Sequence, residues 1–259
     1  MTQENNHIVK SYDAELEELK KRTINMAEAL RRQVNAVGDV LLTLDEETAR
    51  RVVERDVVIN KWEVELDAYV QFLLSRRQPQ ASDLRLLIGV LRMSIDLERA
   101  GDEVESAAKG VRNQRGQLAA SSEQIWPSLV KIHALVESIT DDAIELLRTP
   151  DSARAYALIR RRQVVRGEMK SVMAGVTEGL KAGRLEVADG LEMIRIARAL
   201  ERVAAHLQNV GETVIFMIEG RDIRHEALQL FGRNASRRRE GLADDRTARH
   251  SDCRGRGCH

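Results

Sequence analysis

Apolar residues recur at spacings of three and four along six long stretches of this chain, with polar residues between them. In the first, residues 7–44, Tyr12, Leu16, Leu19, Thr23, Met26, Leu30, Val34, Val37 and Leu41 form one stripe. That spacing predicts a helix with one buried face. Asp45 is placed to cap a second pattern over residues 46–77. Pro79 stops it, because proline disfavours helix in the residue before it. Ser82 or Asp83 opens a third pattern that reaches residue 115. A polar joint at 117–122 precedes a fourth over 123–147, with Pro127 tolerable near its start. Thr149-Pro150-Asp151 is a turn or cap before a fifth over 151–181. Gly183 breaks that one, and a sixth covers 185–219. A helix of roughly thirty residues is about 45 Å long at 1.5 Å per residue. Short joints between such helices imply antiparallel neighbours. No segment alternates with a period of two between hairpin turns. The expected class is all-α, as two antiparallel three-helix bundles in tandem.

The tandem reading rests on an internal repeat. Leu97-Glu98-Arg99-Ala100 returns as Leu200-Glu201-Arg202-Val203, 103 residues later. At the same offset Ile88 pairs with Leu191, Leu91 with Ile194, Arg92 with Arg195, Val104 with Leu207 and Val111 with Val214. An apolar skeleton that persists while exposed positions drift is what packing constraints produce. The expected divisions are a first repeat over 1–117, a second over 118–225, and a polar tail over 226–259. That tail is rich in Arg, Gly and Asp, so it is expected to stay mobile for lack of apolar surface to bury.

Composition narrows the function classes. Lys+Arg and Asp+Glu number 41 each in 259 residues, so there is no global pull toward nucleic acid or an anionic membrane. Aromatic residues make up only 3%, which leaves little for base stacking. The two cysteines, Cys253 and Cys258, lie near the end, so no disulfide framework supports the body. The polar start lacks an apolar leader core, and no run of about eighteen apolar residues exists. A cytoplasmic protein, held at a membrane only through partners, is the expectation.

Candidate chemistry sits on the third helix. Its stripe Leu84, Ile88, Leu91, Ile95, Glu98, Asp102, Glu105 is apolar in its first half and acidic in its second. Carboxylates at i and i+4 lie one turn apart on one face and repel, so water, a basic neighbour or a metal ion should offset them. The second helix carries a matching run, Asp56, Asn60, Glu63 and Asp67. Two such faces together offer oxygen ligands for Mg²⁺, Mn²⁺, Fe or Zn²⁺. The same acids equally suit a solvated face laced by Arg99 and Lys109. In the second copy Glu201 remains, but Ala205 and Gln208 replace the acids at 102 and 105, and the fifth helix carries Arg160, Arg161, Arg162 and Arg166. One site at most, in the first half, is expected. His133 and His206 lack ligand spacing and read as packed or solvated. His250, Cys253, Cys258 and His259 match no finger spacing. There is no glycine-rich phosphate loop, no G-x-S-x-G and no H-E-x-x-H. No nucleophile stands with a paired acid and base, so an enzyme is not expected.

Four segments together resemble the PhoU family of phosphate-transport regulators. They are Arg77-Gln78-Pro79 with Asp83-Leu84-Arg85, then Asp96-Leu97-Glu98-Arg99-Ala100-Gly101-Asp102, then Ala197-Arg198-Ala199-Leu200-Glu201-Arg202, and last the stretch from Val214 to His225. The resemblance covers about residues 7–225. It implies a tandem of PhoU- or spectrin-like three-helix bundles, often dimeric, whose E/D-x-x-x-D motifs bind clustered metals. Glu98 and Asp102 match the motif, Asp56 and Asn60 match the family's second-helix acidic pattern, and Glu201 matches the first carboxylate of the second motif. Ala204-Ala205 departs from the usual Gly-Asp. The implied role is negative regulation of the phosphate-starvation response and modulation of phosphate uptake, with the ATPase of a phosphate ABC importer and a sensor histidine kinase as partners. The alternative is a metal store or metal-dependent enzyme built on the first acidic face.

Overall fold

The computed structural model describes residues 10–54, 57–113 and 125–224. Among them are seven helical stretches and no strand: α1 (Lys10–Thr43), α2 (Glu46–Glu54), α3 (Val57–Arg77), α4 (Ala81–Asn113), α5 (Trp126–Arg148), α6 (Ser152–Lys181) and α7 (Val187–Glu219). The protein is an all-α helical bundle. The joint expected at 117–122 and the tail expected after 226 lie outside the described residues, as does Asp56.

The α1 stripe is buried as its spacing predicts, and Ala27, Ala29, Gln33, Gly38 and Val40 widen it. The extra width has a cause: α1 packs against α2, α3 and α4 on one side and α5 on another. Leu44 ends the helix at φ 56°, its amide donating to the Val40 carbonyl. Asp45 then caps α2, its carboxylate accepting from the Thr48 amide at 2.8 Å. That satisfies one of the free amides at a helix start.

α3 buries only a thin row, Ile59, Leu66, Val70 and Leu73, which makes it an outer helix. Its last turn is pinned to α1. The Arg77 guanidinium reaches both oxygens of Glu15 at 2.8 and 2.7 Å, a two-pronged pair in a planar match. Arg77 thereby holds the Glu15 carboxyl below its ordinary range. Nearby, burial and the Asp83 carboxylate push the Tyr12 phenol up to about 12. The joint around Pro79 turns sharply, with Gln78 at φ 46° and Ala81 at φ 47°.

The second half starts with Pro127 in the first turn of α5 and Trp126 donating Nε1–H to the Leu41 carbonyl at 3.0 Å. Asp151 caps α6 by accepting from the Arg154 amide at 2.8 Å. Gly183 takes the left-handed conformation, φ 65°, that lets the chain reverse after α6. Gly220 does the same after α7 at φ 70°.

The helices up to Arg221 form one compact unit. α1, α3 and α4 pack together, and so do α5, α6 and α7; α1–α5 and above all α4–α7 join the two groups. α4 and α7 run antiparallel and very close. An added Cβ at Gly89 would touch Met217 and Thr213, and one at Gly110 would touch Ile196 and Glu192. Gly89 facing Thr213 and Gly110 facing Glu192 exchange places under a shift of 103 residues. The contact is built on a twofold of its own. Beyond Arg221, the Arg224 side chain pairs with the Asp222 carboxylate.

Candidate functional site

The α3–α4 boundary carries the first acidic face. Glu63 and Asp67 come from α3, Glu98 and Asp102 from α4. Their shared face follows from helix geometry, since steps of three and four return to one side. Asp102 is exposed, while Glu63, Asp67 and Glu98 are half-buried. The Glu63 carboxyl is pushed above its ordinary range, first by burial and then by the Asp67 and Asp102 carboxylates, with Arg99 opposing. Glu63 is thus within electrostatic reach of Asp102 and Arg99 on α4, and Arg99 supplies a cationic offset. Asn60 stands half-buried one turn before Glu63 on α3. Among the described residues, no three His, Cys, Asp or Glu side chains stand together in a group that fits a metal ion.

The corresponding place in the second half holds a cation of the chain's own. Arg162 reaches from α6 to α7, with Nε 3.1 Å and one terminal nitrogen 3.0 Å from Glu201 Oε1. Its other terminal nitrogen lies 3.3 Å from Gln208 Oε1. Gln208 in turn donates to Glu212 Oε1 at 2.7 Å, and Glu212 is buried. A carboxylate at that depth needs such partners, because an uncompensated buried charge is costly. The neighbouring Arg161 turns the other way, toward Asp142 and the Ser138 hydroxyl on α5.

A third polar group lies in the α4–α7 seam. Asp96 Oδ1 accepts from His206 Nδ1 at 2.9 Å and from Asn209 Nδ2 at 2.8 Å. One turn further along, Arg202 pairs with Glu103 at 2.9 Å. Burial pushes the Glu103 carboxyl up, while Arg202 and His206 pull it back. His133 is packed, its Nε2 2.8 Å from the Val34 carbonyl. The role of Asp96 was not legible in the sequence, since nothing in its spacing separates it from a surface acid.

Apolar side chains are also left exposed on α4 and α7. Leu84 and Ile95 on α4 are 37% and 43% exposed, and Val187 and Leu191 on α7 are 63% and 62% exposed. No helix among the described residues is long and apolar enough to cross a membrane.

The PhoU domain matches the chain twice, over residues 23–111 and 129–214. This chain belongs to the PhoU family. Relatives agree along nearly its whole helical part. A phosphate-specific transport system accessory protein PhoU homolog from Burkholderia sp is 30% identical over 221 residues, 85% of this chain and 93% of the relative. One from Pseudomonas putida is 31% identical over 86% of each chain. The solved structure of PhoU from Pseudomonas aeruginosa superposes with a TM-score of 0.76 at 28% identity, covering 81% of this chain and all of that one. The two PhoU domain matches take in the acidic face of α4 and the Arg162 group of α6 and α7. Asp102 of the PhoU-like motif lies within electrostatic reach of Glu63 on α3, whereas Glu201 lies under a guanidinium.

Proposed function

We propose that this chain is a regulatory adaptor of phosphate uptake that works by protein–protein contact and not by turnover. It represses the phosphate-starvation response by coupling the ATPase of a phosphate ABC importer to a sensor histidine kinase, as a homodimer in the cytoplasm. The observation that carries the reading is membership of the PhoU family, whose matched relatives are accessory proteins of phosphate-specific transport. The exposed apolar residues of α4 and α7 support it, because long helices with unpaired apolar stripes suit bundle and helix-in-groove contacts.

Deleting the gene in its host and measuring alkaline phosphatase expression and phosphate uptake at high phosphate tests the proposal. Derepressed phosphatase and altered uptake are expected, both restored by the gene supplied in trans. Unchanged phosphatase and uptake in the deletion strain would refute it. Co-purification from cross-linked cells should recover the importer ATPase and the kinase, and recovery of neither would leave a helical scaffold as the better reading.

A further inference from the structure

The two halves of the molecule set opposite charges against the repeated face of α4 and α7. In the first half, α3 offers the Glu63 carboxylate to Asp102 and Arg99 of α4. In the second half, α6 offers the Arg162 guanidinium to Glu201 and Gln208 of α7. The positions on α4 and α7 correspond through the 103-residue repeat: Glu98 with Glu201, Asp102 with Ala205 and Glu105 with Gln208. The family resemblance alone marks Glu201 as a candidate metal ligand, by its match to the first carboxylate of the second motif. The structure gives it a different cation.

We infer that Arg162 is the resident cation of the second half, filling the space between Glu201, Gln208 and Glu212 that a metal ion would otherwise enter. Three features carry the inference. Glu201 and Arg162 are only 16% and 27% exposed at their side chains, so the pair is shielded from bulk water. One guanidinium spans two acceptors two turns apart on α7, which its planar fork of donors suits and a lysine's single ammonium does not. Gln208 passes the contact on, accepting from Arg162 and donating to the buried Glu212. Oε1 of Glu201, Gln208 and Glu212 is thus in each case held by a donor of the chain itself. A divalent ion would have to displace a covalently tethered positive charge to reach Glu201. The second half is accordingly closed to metal, and any metal dependence of this protein resides elsewhere.

The test compares the full chain with Arg162→Ala, Arg162→Gln and the double variant Arg162→Ala, Glu201→Gln, all stripped with chelator. Mn²⁺ is titrated by calorimetry and by the loss of its free paramagnetic resonance signal. The expected result is one more Mn²⁺ bound per chain in Arg162→Ala than in the unmodified chain, and loss of that extra ion when Glu201 is also replaced. Mn²⁺ should raise the melting temperature of Arg162→Ala by about 3 °C or more beyond any rise in the unmodified chain. Arg162→Gln fills more of the same space with a neutral amide and should show the same extra ion if Arg162→Ala does not fold. Equal Mn²⁺ stoichiometry in the unmodified chain and in whichever folded variant is obtained would overturn the inference. So would an extra ion that survives the Glu201→Gln replacement.

Discussion

Replacing Gly38 by alanine should loosen the joint between α1 and α5, although alanine is the better helix former. A Cβ at position 38 would stand 2.4 Å from His133 Cε1 and 2.9 Å from its Nε2, well inside contact distance. The ring has little room to yield. His133 is 7% exposed, and its Nε2 lies 2.8 Å from the Val34 carbonyl, one turn before Gly38. A carbonyl only accepts, so Nε2 carries the proton and the ring is fixed in tautomer as well as position. Alanine in a helix interior gains about 0.5–1 kcal/mol over glycine. Forcing the ring aside costs about 1–3 kcal/mol in overpacking, and a buried donor left without its carbonyl costs about 1–3 kcal/mol more. The net is a loss of about 1–5 kcal/mol. At about 2–4 °C per kcal/mol for a domain of this size, the melting temperature should fall by roughly 2–20 °C, read by circular dichroism at 222 nm. Gly89→Ala is the control. There the new methyl meets Met217 Sδ at 2.4 Å, but a partly exposed thioether can swing away. It should change stability by no more than about 1 kcal/mol. If Gly38→Ala melts at or above the unmodified protein while Gly89→Ala does not, the account of the α1–α5 joint is wrong. If the clash is with the ring, the costs of Gly38→Ala and His133→Ala should fall short of adding.

Glu63→Gln should stabilise the protein at neutral pH. A carboxyl raised in the folded state favours folding less once it ionises, so its penalty is full above the folded value and vanishes below the unfolded value near 4.3. The gain in melting temperature should therefore be largest at pH 7 and gone near pH 4; a gain independent of pH would contradict the burial and repulsion assigned to Glu63. Gly167 lies exposed within α6 with open space where a Cβ would go. Gly167→Ala should add about 0.5–1 kcal/mol, measured by urea unfolding, and a loss would mean that this face is covered in the native protein. Asp151→Ala removes the acceptor for the Arg154 amide at the start of α6. It should cost about 1 kcal/mol, and Asp151→Ser should recover most of it.

The sequence made the helices legible because burial on one face leaves a spacing that survives translation into letters. All nine positions of the α1 stripe are buried, and Asp45, Pro127, Asp151 and Gly183 mark helix ends where expected. Three residues at two of the joints gave no mark of their own. Leu44, Gln78 and Ala81 adopt positive φ without being glycine, and the surrounding packing holds them there against their own preference. Periodicity also says which face is buried but not against what. The repeated apolar skeleton through Leu97, Val104 and Val111 announced a core, yet nothing in it named α7 as the neighbour. Asp96 and His206 therefore looked like unrelated residues, and their 2.9 Å contact is visible only in three dimensions. At the acidic face, the convergence of Glu63, Asp67 and Asp102 followed from spacing, while the grip of Arg162 on Glu201 showed only as a basic run on the fifth helix.

The α4–α7 seam explains how one body can hold two chemically different halves. Its closest approaches lie on either side of the polar groups, Met217 against Gly89 toward one end and Ile196 against Gly110 toward the other. Between them sit Asp96 with His206 and Asn209, and Glu103 with Arg202. Apolar contact alone is non-directional, and two long helices with repeating apolar stripes could pack one turn out of step. A slip of one turn, about 5.4 Å, would break these pairs and strand Asp96 and Glu103, both of them under partial burial. The penalty for an unpaired charge then singles out one register. Once the seam is fixed in that way, charge changes away from it do not alter how the halves meet. Glu63 and Arg162 lie on the flanking helices α3 and α6, not in the seam. One flank is thus free to keep an acidic face while the other closes on its own guanidinium, and the molecule carries two unlike surfaces on a single frame.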